Sequence, residues 1–464
     1  MRGKKFALKM VLGVVFCLML GVSAGAALLP APDEESMKAD AQKVAEDLQA
    51  GDFAAVTEKF SAEMAAALDE KSLESSWNSV VAVLGNFIET LSVETYERDA
   101  YFCVDILEYY ENNGLKLHIV YDAQGKIAGM QLTYADVEPY LETEAQSDEE
   151  ELSYTEEEVT VTADERVPLG GTLTLPKDTE KPPVVILVHG SGSSDRDENI
   201  NGNKPFADIA HGLAARGIAV LRYDKRYYTY PDCPDVGSAE MVTLREETLD
   251  DVDAAIKLMQ EDARVDGSRI FVLGHSLGGC LSPAIAAEHP QLSGIISMAG
   301  SLRPLWEIVY DQNQEAIAAA EEGELTDEEE AQLAEAAEQV ETSVKVLRGE
   351  LEDQPDDELL LGVPVRYWKS NKEYCGENFI DQVEMPVLIL QGDADFQVYP
   401  EKDYVLWQET LAGRDNAVFH LYEGLNHLMM PTQGKRDITE YSVKGHVDEQ
   451  VIDDIAEFIM DVVG

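Results

Sequence analysis

Six short apolar runs that alternate with helical segments constrain the fold of this chain more than any other feature. They are rich in β-branched residues and cover 183–189, 218–224, 269–274, 294–298, 386–390 and 417–422. Helical patterns lie between several of them, for example at 206–216, 244–260 and 404–411. Strands separated by helices are typical of a mainly parallel sheet covered on both faces. The region 159–464 is therefore predicted to be one α/β domain.

A different pattern occupies residues 34–140. Apolar residues recur there first at helical spacing, and three strand-like runs follow at 101–109, 115–121 and 126–134. The segment 111–114, with the sequence ENNG, is a hairpin signal between the first two runs. Helices followed by an antiparallel sheet predict a small, separate α+β domain.

Acidic residues mark the junction of these two regions. Residues 142–158 hold nine acids and no base, which predicts a solvated linker over 141–158. Such a linker indicates two units that are tethered rather than fused.

One long interval interrupts the α/β rhythm. Residues 301–378 separate two strands by 78 residues, too many for a bare loop in a compact domain. The segment is rich in Ala, Glu and Leu and carries 21 acids against six bases. It is predicted to be a helical insertion that lies over the edge of the sheet.

The charge of the chain limits its partners. With 90 acids against 35 bases, the formal net charge is −55, which argues against binding to nucleic acid or to anionic lipid. Five cysteines without a CxxC spacing or a Cys/His cluster give no sign of a zinc site.

The N-terminus resembles an export signal. A basic stretch with Arg2, Lys4, Lys5 and Lys9 precedes the apolar run 10–22, and the small residues 24–26 form a cleavage site. Residues 1–26 are therefore predicted to be a signal peptide of a secreted or membrane-tethered protein. An uncleaved anchor is the open alternative.

The segment 274–279, GHSLGG, contains the strongest candidate for a reactive group. A strand run leads into it and a helical pattern follows, which is the context of a nucleophile elbow. The serine of such an elbow lies on a strained turn, so the residues two positions away must be small. Gly274 and Gly278 meet that requirement for Ser276. The alternative is an inert glycine-rich turn.

A serine nucleophile needs a base, and the base needs an orienting acid. Asp395 follows the strand run at 386–390, and His427 follows the run at 417–422. Both therefore lie at carboxyl ends of strands, where open α/β sheets place their sites. Asp393 is the competing acid, interpreted as a turn residue, and His446 is the rival base.

A second glycine-containing turn, His189-Gly190-Ser191-Gly192, follows the strand run at 183–189. Backbone amides in this position commonly help the amide after the nucleophile to bind an oxyanion. The predicted donors are the amides of Ser191 and Leu277, and His189 is interpreted as structural.

These motifs together resemble a known family. HGSGSSDRDEN at 189–199, RYDKR at 222–226, GHSLGG at 274–279, LQGDADFQV at 390–398 and LNHLM at 425–429 are similar to segments of the α/β-hydrolase superfamily. Exported bacterial serine hydrolases of the dienelactone-hydrolase, prolyl-oligopeptidase and serine-aminopeptidase groups are the nearest types. The resemblance implies the α/β-hydrolase fold with a helical lid and a triad of Ser276, Asp395 and His427. Residues 34–140 resemble the cystatin-like α+β domain that precedes such hydrolases.

The function implied is hydrolysis of a small-molecule carboxylic ester through an acyl-enzyme, without a metal or organic cofactor. A serine peptidase of the aminopeptidase or prolyl-oligopeptidase type uses the same triad and stays open as the alternative. A non-enzymatic surface-binding protein is the less favoured one. Oligomeric state and natural substrate are not predicted.

Overall fold

The computed structural model describes residues 34–98, 101–135, 137, 152–230, 242–321 and 327–464, without the side chains of 327–329. The expected signal peptide, residues 1–26, and most of the expected linker lie outside these ranges. Within the described part of the chain, no helix combines the length and apolar character needed to cross a membrane.

The N-terminal unit is an α+β structure. Its helices are α1 (Glu34–Ala50), α2 (Phe53–Thr57), α3 (Ala62–Ala67) and α4 (Glu70–Leu84). Its antiparallel sheet has the order β1 (Phe87–Arg98), β2 (Tyr101–Tyr110), β3 (Gly114–Tyr121) and β4 (Ile127–Ala135). Alternate residues of β2 and β3 face the helices, where Val104, Ile106, Leu117 and Ile119 are buried against Trp77.

The C-terminal unit is built on a sheet of eight strands. These are β5 (Tyr154–Val161), β6 (Leu169–Pro176), β7 (Val184–Val188), β8 (Ala219–Tyr223), β9 (Ile270–His275), β10 (Gly294–Met298), β11 (Val387–Gly392) and β12 (Ala417–Tyr422). Their order across the sheet is β12-β11-β10-β9-β7-β8-β6-β5. The six strands from β12 to β8 are parallel, and β6 and β5 add an antiparallel edge.

Helices cover both faces of this sheet. They are α5 (Pro205–Ala215), α6 (Arg226–Thr229), α7 (Asp250–Glu261), α8 (Leu277–Glu288), α9 (Leu305–Glu321), α10 (Asp327–Gly349), α11 (Val365–Glu373), α12 (Val405–Thr410) and α13 (Glu449–Val463). Val184 and Ile186 of β7 pack in one core layer with α7 and α8, whereas Val185 and Leu187 pack in the other with α5 and α13. Burial on both faces explains why these strands read as continuous apolar runs.

Strand β5 corrects the expected linker. Residues 154–158 are not an unpaired linker but an edge strand that pairs with β6, so the sheet begins at Tyr154 rather than at the predicted 159. Arg222 pairs with Glu156, Arg264 with Glu157 at 2.5 Å, and Arg196 with Glu158 at 2.9 Å. The last three acids of the expected linker, Glu156, Glu157 and Glu158, are therefore strand residues paired with arginines that are distant in sequence.

The insertion at 301–378 is mainly helical, as expected, and also contains a hairpin of Leu359–Leu360 and Val363–Pro364. Its first residues are anchored by Arg303, whose guanidinium donates to both oxygens of the buried Asp403 at 2.8 and 2.9 Å. Its last helix, α11, reaches back to the helical segment before α7 through Tyr367, whose hydroxyl donates to buried Glu247 at 2.6 Å. The insertion is thus fixed at both ends.

The two units also touch one another, which corrects the expectation that only a linker joins them. Asn113, in the turn between β2 and β3, is 2% exposed, and its amide donates to the Asn201 carbonyl at 2.7 Å. A buried side chain that bonds across the junction makes a packed interface.

The tightest backbone approach lies between β9 and α8. A Cβ on Gly274 would lie 2.1 Å from the Gly278 carbonyl oxygen, and one on Gly278 would lie 2.3 Å from the Val188 oxygen. Only glycine fits at either position, because the groups in the way are backbone and cannot rotate aside.

We therefore expect Gly274→Ala to destabilise the C-terminal unit by about 2 kcal/mol or more. Gly349→Ala is the matched control, because that glycine ends α10 with open space around it. The control should be neutral or slightly stabilising. Thermal unfolding followed by circular dichroism measures both, and equal melting temperatures for the two variants would contradict this account of the turn.

Candidate active site

Ser276 lies at the sharp turn between β9 and α8. Its backbone has φ 53° and ψ −113°, a strained conformation for a residue with a side chain. The surrounding backbone maintains it: the Ser276 amide donates to the Met298 carbonyl at 2.9 Å, and the Gly278 amide to the His189 carbonyl at 3.1 Å. The turn places Ser276 directly before the N-terminus of a 12-residue helix, where backbone N–H groups favour negative charge.

Asp395 and His427 meet at the carboxyl ends of β11 and β12. Nδ1 of His427 lies 2.8 Å from Oδ2 of Asp395, and the two residues are 3% and 0% exposed respectively. The carboxylate also accepts from the amides of Gln397 and Val398, at 2.8 and 3.0 Å, and from Nε2 of Gln391 at 2.8 Å. Four donors, these three and Nδ1 of His427, therefore fix its position.

The loop that carries His427 is shaped by its neighbour Asn426. The Asn426 side-chain oxygen accepts from the amides of Leu428 and Met430, at 3.0 and 3.2 Å. Close backbone contact fixes this loop against the loop of Asp395, because a Cβ on Gly392 would lie 2.2 Å from the Leu425 oxygen. The acid and the histidine are thus held together by backbone as well as by their own hydrogen bond.

His275 joins the histidine loop to the serine turn. Its Nε2 lies 3.0 Å from the His427 carbonyl oxygen, and the two imidazole rings are 4.7 Å apart. Its Nδ1 forms an ion pair with Oε2 of buried Glu198 at 2.8 Å. Burial alone lowers the pKa of His275, but the Glu198 carboxylate outweighs it, so the pKa is raised. The carboxylate at 2.8 Å therefore favours the imidazolium form of His275.

The turn at 189–192 lies against the serine. A Cβ on Gly190 would be 3.2 Å from the Ser276 Cβ. The Gly190 amide donates to Oε1 of Glu198 at 2.6 Å, and the Gly192 amide donates to Oε1 of Glu247 at 2.9 Å. The amides on either side of Ser191 are thus each held by a buried carboxylate.

A second buried ion pair, Lys225 with Glu247, contacts the same turn. Nζ of Lys225 donates to the Gly190 carbonyl at 2.7 Å and to Oε1 of Glu247 at 2.9 Å. Burial raises the pKa of Glu247, but the ammonium of Lys225 outweighs that effect and the pKa is lowered. Glu247 therefore stays ionised beside the glycine turn.

The competing residues lie apart from this arrangement. Asp393 is exposed and accepts from the Gly424 amide at 2.7 Å, as expected of a turn residue. The His446 side chain is 65% exposed and pairs with Asp208 at 3.1 Å.

His189 is buried and hydrogen-bonds the Asp195 carbonyl at 2.9 Å, and burial lowers its pKa to about 4. It is therefore neutral and structural.

Sequence reasoning missed the charged residues that support the site, Glu198, Lys225 and Glu247, and it treated His275 as the variable residue of the elbow. The first two lie within HGSGSSDRDEN and RYDKR, so a signal was present in acidic and basic residues next to glycine turns. Their partners are distant in sequence, and only the fold brings them together.

One cluster outside this site has the composition of a cation site. Asp253, Glu288 and His289 bring one ligand atom each within 4.8 Å of the others. Arg245 already occupies the gap, bonding Asp253 at 3.0 Å and Glu288 at 3.1 Å. The cluster is an ion-pair network on the helical surface.

Both units are similar to known protein families. The sequence matches the family described as serine aminopeptidase, S33, over residues 180–325, and the family described as a protein of unknown function (DUF3887) over 41–130. It is 33% identical over 419 residues to esterase EstD of Thermotoga maritima, covering 89% of this chain and 93% of EstD.

Two further similarities are more limited. The putative esterase NocK of Nocardia uniformis is 31% identical over 125 residues, which is 26% of this chain and 33% of NocK. The solved structure of Est1E from Butyrivibrio proteoclasticus aligns with 66% of this chain and 98% of its own, at a TM-score of 0.43 and 20% identity.

The charge states of two neighbouring histidines offer a test of these electrostatics. At a pH of about 5.5, which lies below the raised pKa of His275 and above the lowered pKa of His189, His275 should carry protons on both ring nitrogens and His189 on only one. Nitrogen-15 spectra of histidine-labelled protein distinguish the two forms, with signals assigned from His275→Gln and His189→Gln. A neutral His275 would show that Glu198 does not form the ion pair described.

Proposed function

The chain belongs to the α/β-hydrolase family that includes esterase EstD, and we propose that it hydrolyses carboxylic esters with Ser276 as nucleophile, His427 as base and Asp395 as orienting acid. The observation that carries this proposal is the 2.8 Å pairing of His427 with fully buried Asp395, next to the strained turn of Ser276. Serine, imidazole and carboxylate in this order supply nucleophilic catalysis without any further group.

In the first step, Oγ of Ser276 attacks the acyl carbon of the ester while Nε2 of His427 takes the hydroxyl proton. The carbonyl π electrons move to oxygen and give a tetrahedral oxyanion. The Nδ1–H group of His427 donates a hydrogen bond to Asp395, which selects the tautomer with a free Nε2 and then stabilises the imidazolium.

The oxyanion is stabilised by the backbone amides of Ser191 and Leu277 in this proposal. The Gly190 and Gly192 amides on either side of Ser191 are engaged with carboxylates, and Leu277 is the first residue of α8. Each donor of this kind is worth about 3 kcal/mol in the transition state.

The tetrahedral intermediate collapses when the carbon–oxygen bond to the alcohol breaks. The imidazolium of His427 gives its proton to the departing alkoxide, and Ser276 remains as an ester of the acyl group. His427 then takes a proton from water, which attacks the acyl carbon, and the reverse collapse frees the carboxylic acid and Ser276.

The insertion at 301–378 serves as the lid of the site in this proposal. Two contacts support that role: Tyr367 of α11 bonds Glu247 beneath the glycine turn, and Gln312 of α9 donates to the Gln397 carbonyl at 2.9 Å, two residues beyond Asp395. A cover that touches both loops is expected to limit the size of the acyl or alcohol group.

Ser276→Ala tests the nucleophile. The wild-type chain should react with a fluorophosphonate probe and hydrolyse a short nitrophenyl ester, and the variant should lose both activities by at least about 10³-fold. The two proteins should share the same circular dichroism spectrum. Equal labelling of wild type and variant would show that Ser276 is not the nucleophile.

A substrate series separates the esterase from a peptidase, which the match to the serine aminopeptidase family keeps as the second candidate. Nitrophenyl esters of increasing acyl length are compared with aminoacyl anilides at equal enzyme concentration. We expect kcat/KM to favour the esters well beyond their greater intrinsic reactivity. Anilide hydrolysis at a comparable rate would assign the chain to the peptidases.

The two aspartates after β11 offer a matched pair for the acid. Asp395→Asn should lower kcat by about 10³- to 10⁴-fold with the fold intact, because an amide facing His427 favours the wrong tautomer. Asp393→Asn should change kcat by less than about threefold, since Asp393 only accepts from the Gly424 amide. Steady-state hydrolysis of one ester by both variants measures this, and the opposite order would exchange their roles.

A further inference from the structure

The turn between β2 and β3 is where the N-terminal unit docks on the C-terminal unit. Asn113 in this turn is 2% exposed, and its Nδ2 donates to the carbonyls of Asn201 at 2.7 Å and Ser442 at 3.3 Å. Its Oδ1 accepts from the Gly114 amide at 2.8 Å. The Asn113 side chain therefore makes three hydrogen bonds, and its two donated bonds join two loops that are far apart in sequence.

The first of these loops, residues 195–203, supports the glycine turn of the active site. It contains Glu198, which accepts from the Gly190 amide and pairs with His275. The loop is strained, because Glu198 and Asn201 have φ of 53° and 54° without being glycine. Such residues keep their conformation only when the surroundings over-determine it, and the Asn113 bond at Asn201 is part of those surroundings.

The second loop, residues 438–446, reaches the acid of the triad. The hydroxyl of Tyr441 accepts from the side-chain amide of Gln397, whose backbone amide donates to Oδ1 of Asp395 at 2.8 Å. Asn203 ties the second loop to the first, donating to the Tyr441 carbonyl at 2.7 Å and accepting from the Gly445 amide at 2.8 Å. Asn113 thus hydrogen-bonds both loops, one of which supports the glycine turn and the other the loop of Asp395.

We propose that the N-terminal unit is an intramolecular clamp for catalysis, with Asn113 as a positioning residue that sets the glycine turn and the Asp395 loop relative to one another. The proposal rests on the assignment of Ser276, His427 and Asp395 made above. It gives this unit a role in the reaction that requires no contact with substrate. Small displacements of catalytic groups are costly, since a misplacement of about 1 Å can lower a rate by about 100-fold.

The test compares two adjacent asparagines in the full-length chain. Asn113→Ala removes the clamp bonds, whereas Asn112→Ala removes a side chain that is exposed and donates to the Val83 carbonyl within the N-terminal unit. We expect Asn113→Ala to lower kcat for a short nitrophenyl ester by about tenfold or more, with KM changed by less than about twofold. Asn112→Ala should stay within about twofold of wild type in both constants.

The pH profile distinguishes positioning from a merely structural role. If Asp395 is displaced, it stabilises the imidazolium of His427 less, so the acid limb of kcat/KM should move to lower pH in Asn113→Ala. A fold that is only less stable would lose active enzyme without moving this limb. The fraction folded at the assay temperature is measured by circular dichroism for each variant.

A second variant approaches the same contact from the other side. Gly202 has φ +87°, and a Cβ there would lie 3.0 Å from Oδ1 of Asn113. Gly202→Ala should therefore lower kcat as well, and combining it with Asn113→Ala should cost less than the product of the two single effects, because the shortened side chain makes room.

Each outcome has a separate meaning. Folded Asn113→Ala with wild-type kcat and an unmoved acid limb, or strictly multiplicative effects of Asn113→Ala and Gly202→Ala, would overturn the clamp while leaving the esterase in place. A wild-type chain that does not react with fluorophosphonate would instead overturn the proposed function on which the clamp rests.

Discussion

The ion pair of His275 with Glu198 is the interaction on which the candidate site depends. Two buried charges lose their hydration, which is costly unless each is also hydrogen-bonded. Here the remaining capacity is directed at backbone: Glu198 accepts from Gly190, and His275 lies within hydrogen-bond distance of the His427 carbonyl. The pair therefore fixes the glycine turn and the histidine loop with respect to the residue that precedes Ser276.

A second pair, Lys225 with Glu247, performs the same task on the other side of the glycine turn. Lys225 holds the Gly190 carbonyl, Glu247 holds the Gly192 amide, and Tyr367 of the insertion holds Glu247. The two sides of Ser191 are thus fixed by separate ion pairs, one linked to the serine turn and one to the insertion. Rigid support of this kind is what an oxyanion site requires, because donors that must reorganise contribute little.

The parts of this protein that could be predicted from sequence are those specified locally. The turn at Ser276 is one, because its glycines and the flanking strand and helix lie within a few residues. The choice of Asp395 over Asp393 followed from distance along the loop, and the hairpin signal at 111–114 marks the turn between β2 and β3.

The parts that could not be predicted depend on partners far away in the chain. The sequence of β5 resembled a linker because it is acidic. The arginines that pair with its glutamates lie far away in the chain, at positions 196, 222 and 264. Glu247 lies 55 residues from Gly192, whose amide donates to it, and Asn113 lies 329 residues from Ser442, whose carbonyl it bonds. A single sequence does not show which distant residues pair. The buried carboxylate of Glu247 and the docking turn at Asn113 therefore both resembled surface residues.

The charges around Ser276 have one more consequence for the chemistry. Three buried carboxylates, Glu198, Glu247 and Asp395, surround this site in a chain whose net charge is −55. Unbalanced, they would repel the developing oxyanion. Glu247 is paired with the ammonium of Lys225, and Glu198 is paired with His275, whose raised pKa favours the cationic form. In the proposed mechanism, Asp395 faces the imidazole of His427, which becomes cationic during the reaction, so the charge of Asp395 is matched when the oxyanion forms.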